Sequence, residues 1–326
     1  RGAAPADLDM DGRTEAILSE PGQVVTVKPS EGAGIGAWDI RAARHAMTSV
    51  LRRRPEAYHQ TLRDHDAKVN ATDAAEAEAA APGADGAVTS IHDIVMVKEE
   101  GLAAHLHYDT HERRTGLVRF LEPGVTPQAF ADAGERELAD FRDGEWQMDH
   151  LAPGQVSLSR NGNVLGQPVG ISKTIRLGST RLDPALTVEL EVIHRGSAPV
   201  EARLGLELSL HLLGGGGNPQ AWYDVAGSRS AHDGTGQAAA VEAIGYGNDW
   251  IGVAIEARPT PAADAWWSPI ETISNSEAGF ERVYQGSSLL FSWPVRLEPG
   301  ETRRFAVTQQ VAVGRDRAAE ETGAGD

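Results

Sequence analysis

In "LTVELEVIHR", residues 186–195, apolar and polar positions alternate through Val192. Leu186, Val188, Leu190 and Val192 fall on one face and Thr187, Glu189 and Glu191 on the other, which predicts a half-buried strand. Residues 204–213, "LGLELSLHLL", repeat the pattern: Leu204, Leu206, Leu208, Leu210 and Leu212 point inward, and Glu207, Ser209 and His211 form a polar face. "VSLSRNGNV", "GISKTIRLG", "WIGVAIEA", "SLLFSWPVRL" and "RRFAVTQQVAV" are further short, partly alternating runs, with "RNGN" and "LEPGE" as turn signals. Many antiparallel strands with few helices predict a mainly β fold, a large sandwich or barrel filling residues 1–313 as one unit.

The first third is mixed. "QVVTVKP" and "AGIGAWDIR" predict a hairpin around the Gly-rich "SEGAGIG". Residues 55–69, "PEAYHQTLRDHDAKV", predict a helix with Pro55 in its first turn. Residues 70–87 are rich in Ala and acids and contain Pro and Gly, which predicts a mobile insertion, with a marginal helix as the alternative. "SIHDIVMVKE" reads as strand, and residues 314–326 read as a disordered tail.

Composition narrows the function classes. The formal net charge of the 326 residues is −17, and the only compact basic run is Arg52, Arg53 and Arg54, so nucleic acid and anionic membrane are excluded as partners. There is no cysteine, which removes disulfides, thiolate catalysis and Cys-based zinc sites. No apolar run approaches the ~20 residues of a membrane helix. The opening "RGAAPADLD" has neither an initiator Met nor the order of a signal peptide, and it reads as a chain cut at a domain boundary.

In "DLDMDGRTEAIL", residues 7–18, Asp7, Asp9 and Asp11 alternate, Gly12 permits a sharp turn, and Arg13 (through its carbonyl) and Glu15 follow. Calcium takes six to eight hard oxygens, and side chains two apart in a tight loop can converge on one centre. Position twelve is Leu18 rather than a glutamate, so this is no EF-hand. The alternatives are a structural Ca²⁺ loop at the start of the β-domain or a solvated acidic turn.

Residues 266–286, "WWSPIETISNSEAGFERVYQG", gather aromatic and acidic residues: Trp266, Trp267 and Tyr284 with Glu271, Glu277 and Glu281. Rings that stack on sugar C–H faces beside carboxylates that bond hydroxyls make a carbohydrate surface; a packed loop or interface has the same composition. Trp222, after the Gly-rich "LLGGGG", is a further candidate sugar contact. That loop lacks the Lys-Ser/Thr of a phosphate loop and reads as flexible. His105 and His107, placed on a strand, would share a face with His111 near, yet no further metal ligands accompany them. Glu207 and His211 share a strand face, which leaves two readings: an acid–base pair in a concave cleft, as a sugar epimerase needs, or a solvated sheet face.

Taken in order, "DLDMDGRTEAIL", "GAGIGAWDIR", "LRRRPEAYHQTL", "SIHDIVMVKEEGLAAHLHYD", "WWSPIETISNSEAGFERVYQGS" and "WPVRLEPGE" resemble the C-terminal β-domain of family-57 glycoside hydrolases, the 4-α-glucanotransferases and related α-amylases. The resemblance implies an antiparallel sandwich of galactose-mutarotase-like type that follows a catalytic barrel. It also favours a structural calcium at the acidic loop. The family's catalytic carboxylates lie in the barrel, which nothing in this sequence matches, so no catalytic residue carries over. The implied role is a non-catalytic accessory domain of a cytoplasmic enzyme acting on α-1,4-glucan or maltooligosaccharide, with the barrel in the same or a separate chain. A stand-alone oligosaccharide-binding module and a mutarotase-like epimerase are the rivals.

Overall fold

Half-buried alternation is the rule that builds this molecule, whose computed structural model describes residues 1–78 and 95–314. Five short strands come first: β1 (Gly2–Ala6), β2 (Glu15–Ser19), β3 (Gln23–Lys28), β4 (Gly34–Ile40) and β5 (His45–Ala46). They pair antiparallel in chain order, and β3 and β4 form the hairpin that their alternation predicts. Helix α1 (His59–Glu78), strand β6 (Leu117–Leu121) and the one-turn helix α2 (Pro127–Ala131) follow. The remainder is strand: β7 (Gln147–Ala152), β8 (Gln155–Val164), β9 (Gln167–Ser179), β10 (Pro184–His194), β11 (Val200–Leu210), β12 (Ala221–Val225), β13 (Ser228–Ala231), β14 (Gly236–Val241), β15 (Ile244–Asn248), β16 (Val253–Thr260), β17 (Ala263–Ser276), β18 (Gly279–Leu297) and β19 (Thr302–Val313).

These strands make two facing layers. A nine-stranded sheet runs β13-β12-β15-β16-β19-β10-β9-β8-β7, and a five-stranded sheet runs β14-β17-β18-β11-β6. Leu186, Val188, Leu190 and Val192 of β10 meet Leu204, Leu206, Leu208 and Leu210 of β11 in one core, which also takes Trp38 and Ile40 from the first sheet. An antiparallel β-sandwich is therefore the architecture, as the alternation predicts.

The second face of the five-stranded sheet is covered too. Leu62 of α1 and Leu102 pack on Ile273 and Phe280, while Phe130 of α2 packs on Leu121, Trp266 and Leu290. Gly205 lets this layer close: a Cβ there would lie 2.7 Å from Leu290 Cδ1 and 3.2 Å from Arg119 Cβ.

Several local expectations are corrected. "RNGN" lies inside β8, and the chain reverses at Leu165 and Gly166, whose φ values of 51° and 79° suit a two-residue hairpin turn. Pro55 precedes α1 rather than opening it; His59 starts the helix with its Nε2 3.0 Å from the Ile273 carbonyl. The helix runs through residue 78, into the stretch expected to be a mobile insertion; residues 79–87 lie outside the described residues, as do 315–326 of the expected tail and residues 90–94 of "SIHDIVMVKE", whose remaining half forms a single bridge, Val97 to Phe280, rather than a strand. Among the described residues no helix is long and apolar enough to cross a membrane.

Candidate functional site

The acidic loop joins β1 to β2. Asp7 closes it by accepting the N–H groups of Asp11 (3.1 Å) and Gly12 (3.0 Å), and Met10 and Gly12 turn it through positive φ. Carboxylate oxygens of Asp7, Asp9 and Glu15 all lie within 4.8 Å of one another. Glu15 is fully buried; its Oε2 accepts from Leu8 N at 2.7 Å, and its Oε1 has no hydrogen-bond partner. Asp11 is not in this cluster, because its Oδ1 accepts the Arg13 N–H at 2.8 Å. The Lys28 ammonium pairs with Asp9, holding that carboxyl below its ordinary range, and lies 4.0 Å from Glu15 Oε1. Three hard oxygens, one of them buried and without a hydrogen-bond partner, fit a divalent cation, with Lys28 as the built-in competitor.

The β17–β18 hairpin carries the aromatic and acidic residues of 266–286, and the sheet separates them. Successive side chains on a strand face opposite ways, so Trp266 packs under α2 against Phe130 while Trp267 enters the main core beside Tyr223, ring centroids 5.4 Å apart. Trp222 lies under the Arg229 guanidinium at 3.9 Å, with its Nε1 donating to Asp249. These three rings are only 6–7% exposed. Trp266 and Trp267 are packing residues of the core clusters, whereas Trp222 belongs to none of those clusters and, beneath Arg229, borders a cavity of about 780 Å³ with Asp224, Glu256 and Gln310. Glu277 is exposed at the hairpin tip, away from the acids that follow.

Glu271, Glu281 and Tyr284 behave differently. A register shift after Ile270 sets Glu271 opposite Tyr284, and both line a groove. One chamber, about 290 Å³, is lined by Arg53, His105, His107, Asp132, Asp233, Ser268 and Glu271, among others. The next, about 390 Å³, adds Lys98, Glu99, Glu281, Tyr284 and the backbone of Gly216 and Gly217. Asp233, Glu271 and Arg282 belong to both chambers.

The walls are braced from behind. Arg53 is clamped by buried Asp109, through Nη2 at 2.8 Å and Nε at 3.1 Å. The Tyr284 hydroxyl meets His232 Nδ1 at 2.9 Å and Ser287 Oγ at 3.0 Å, and burial raises its pKa. Asp233 Oδ2 accepts the Gly217 N–H at 2.8 Å. Gly216 and Gly217 sit at φ near +70°, and a Cβ on Gly215 would strike Tyr284 Cβ at 2.5 Å, so the glycine run fits against the tyrosine.

The histidines do not form the strand pair expected of them. Leu102–His105 is a 3₁₀ turn. His107 Nε2 lies 3.7 Å from Asp132 Oδ1 in the groove wall, its pKa lowered by burial and by Arg53. His111 is buried elsewhere, 3.7 Å from Glu207, and burial with the nearby Arg119 and Arg113 lowers its pKa to about 4.

Neither reading of the Glu207–His211 face survives. Glu207 and Ser209 are fully buried. The segment leading into β6 and β6 itself bring two arginines: Arg113 Nη1 is 2.6 Å from Glu207 Oε1, and Arg119 Nη1 bonds its Oε2. Arg119 also meets Glu135 at 2.5 Å and Glu137 at 2.6 Å. Burial would raise the Glu207 pKa, but the two guanidiniums outweigh it and hold the carboxyl far below its ordinary range. A permanently ionised, dry carboxylate is neither a cleft base nor a solvated side chain.

Of the residues singled out from the sequence as sugar contacts, Glu271, Glu281 and Tyr284 line the groove; Asp132, Asp233 and His107, which also line it, were not singled out for it. "HDGTG" around Asp233 carries only a turn signal. Nothing local connects it to residues more than a hundred positions away.

Residues 7–308 match the family model of the alpha-amylase/4-alpha-glucanotransferase C-terminal domain. The chain belongs to this family. Two curated relatives of this C-terminal domain are alpha-amylase 1 of Dictyoglomus thermophilum, 27% identical over 307 residues, and the 4-alpha-glucanotransferase of Thermococcus kodakarensis, 28% identical over 305. Each match covers 92% of this chain, and the chain spans only 40% of each relative's length. The solved 4-alpha-glucanotransferase of Thermococcus litoralis superposes over 96% of the chain and 41% of its own, with a TM-score of 0.70 at 22% identity. A putative aldose 1-epimerase from Escherichia coli covers 96% at TM-score 0.54 and 12% identity, and a galactose mutarotase-like protein from Clostridium acetobutylicum covers the same share at TM-score 0.54 and 7% identity. At these identities the likeness is one of fold, and it makes the C-terminal domain a galactose-mutarotase-like sandwich.

Proposed function

We propose that this domain is the non-catalytic accessory sandwich of an enzyme acting on α-1,4-glucan, of 4-α-glucanotransferase or α-amylase type and placed in the cytoplasm. A catalytic domain in the same or a separate chain supplies the paired carboxylates that glycosidic bond chemistry requires. The observation that carries this reading is the family match over residues 7–308 in relatives of which the chain spans 40%.

The acidic loop serves this role through stability. Asp7, Asp9 and Glu15 are the residues that would hold a calcium ion, whose charge would offset their mutual repulsion and tie the entering chain to β2. Asp11 and Arg13 shape the loop instead.

The test replaces the C-terminal region of the Thermococcus litoralis enzyme with this chain and measures disproportionation of maltooligosaccharides. The chimera is expected to be active and the isolated chain to release nothing from amylose. Glucan cleavage or transfer by the isolated chain would overturn the reading.

A further inference from the structure

We infer that the two-chambered groove is a binding site for an uncharged oligosaccharide, gripped where the chambers meet at Asp233, Glu271 and Arg282. This deepens the accessory-domain reading and rests on it only for the choice of α-glucan as first ligand.

The lining decides the class. Apolar ligands are excluded, because beyond Ala131 and Pro269 the walls are charged or polar side chains and bare glycine backbone. Anionic ligands are disfavoured because carboxylates outnumber cations. Each cation is also engaged: Arg53 with Asp109, Arg282 with Glu99 and Glu271, and Lys98 with Glu281. What remains is a row of acceptors beside fixed donors without net positive charge. A sugar hydroxyl gives one hydrogen bond and accepts two, so it suits a carboxylate next to a guanidinium. Arg282 Nη1 lies 3.4 Å from Glu271 Oε2, a spacing loose enough for a hydroxyl to join both groups.

Rigidity and length support the same ligand. Asp109 fixes Arg53, and His232 and Ser287 fix Tyr284, so little side-chain freedom is lost on binding. Chambers of about 290 and 390 Å³ in series suit consecutive sugar units rather than one ring. The bare backbone at Gly216 and Gly217 keeps the second chamber clear.

The experiment is isothermal titration of the folded chain with maltoheptaose, cellohexaose and an oligogalacturonate, repeated on Asp233→Asn and Glu271→Gln, with melting temperature as the check on folding. Maltoheptaose is expected to bind, the oligogalacturonate to bind at least tenfold more weakly, and each substitution to weaken maltoheptaose at least tenfold. Absence of binding by both neutral sugars would overturn the inference, as would unchanged affinity in both variants or preference for the anionic sugar. If cellohexaose binds and maltoheptaose does not, the groove stands and the α-glucan assignment falls. Both results are independent of the chimera assay.

Discussion

Lys173 offers the sharpest test of how dry this interior is. It lies on β9, fully buried, and its ammonium donates to the carbonyls of Ala33 (2.6 Å) and Gly116 (2.5 Å), with the Trp146 ring centroid 5.7 Å away. Two neutral carbonyls and a ring face cannot replace the hydration of a charge. Burial alone lowers its pKa from 10.5 to about 7. Between those two values the unfolded chain holds a proton that the folded chain has lost, so stability rises with pH across the window. Below pH 7 the penalty is complete, about 5 kcal/mol at 1.36 kcal/mol per unit. Between pH 6 and pH 9 the native protein should gain about 3 kcal/mol from this one group.

Lys173→Met keeps the length of the side chain and removes the titration. It also strands two carbonyls, at about 1–3 kcal/mol each. The variant should therefore be less stable than the native protein at pH 9. Relative to the native protein it should recover about 3 kcal/mol on going to pH 6. Urea unfolding at pH 6, 7, 8 and 9, taken as the difference between the two proteins, cancels every other titration. A difference that stays flat across that range would mean that Lys173 keeps its ordinary pKa, and the argument from dryness would be refuted.

Glu207→Gln strips one charge from a buried cluster and leaves Arg113 and Arg119 short of their shared anion; it should cost about 3–5 kcal/mol in equilibrium unfolding, and a loss under 1 kcal/mol would show that water reaches the cluster. His111 is neutral when folded, with a pKa of about 4 against 6.5 unfolded, so stability should fall as pH drops from 6.5 toward 4, and His111→Leu should flatten that part of the profile. Calcium at a hundredfold excess over its Kd should add about 2.7 kcal/mol to the chelator-stripped protein. Asp9→Ala should abolish that gain, and a melting temperature blind to calcium would remove the ion from the acidic loop.

Alternation was a sufficient guide wherever a strand has one covered and one open face. In β10 the apolar side is buried and Thr187, Glu189 and Glu191 remain partly exposed, as the pattern states. The same reasoning misplaced β11. There Glu207 and Ser209 are as buried as the leucines, because α1, α2 and the segment carrying Arg113 form a third layer over that face. Period two reports that two faces differ; it does not report what covers the polar one. Residues 266–286 mislead for a related reason. Trp266 and Trp267 are adjacent in sequence and therefore opposite in the sheet, so a dense motif became two separate packing contacts.

By itself the sequence determined the sandwich, the acidic turn and the family, because each is written in local spacing: a period of two, alternating carboxylates beside a glycine, and an ordered set of short motifs. Only the tertiary structure decided the groove and the buried charges. Arg53, His107, Asp132, Asp233 and Glu271 come together from five distant segments. The ionisation of Glu207 and the lowered pKa of Lys173 depend on which neighbours exclude water. Burial and electrostatic pairing are properties of three-dimensional neighbours, and a linear pattern carries no record of them until the chain has folded.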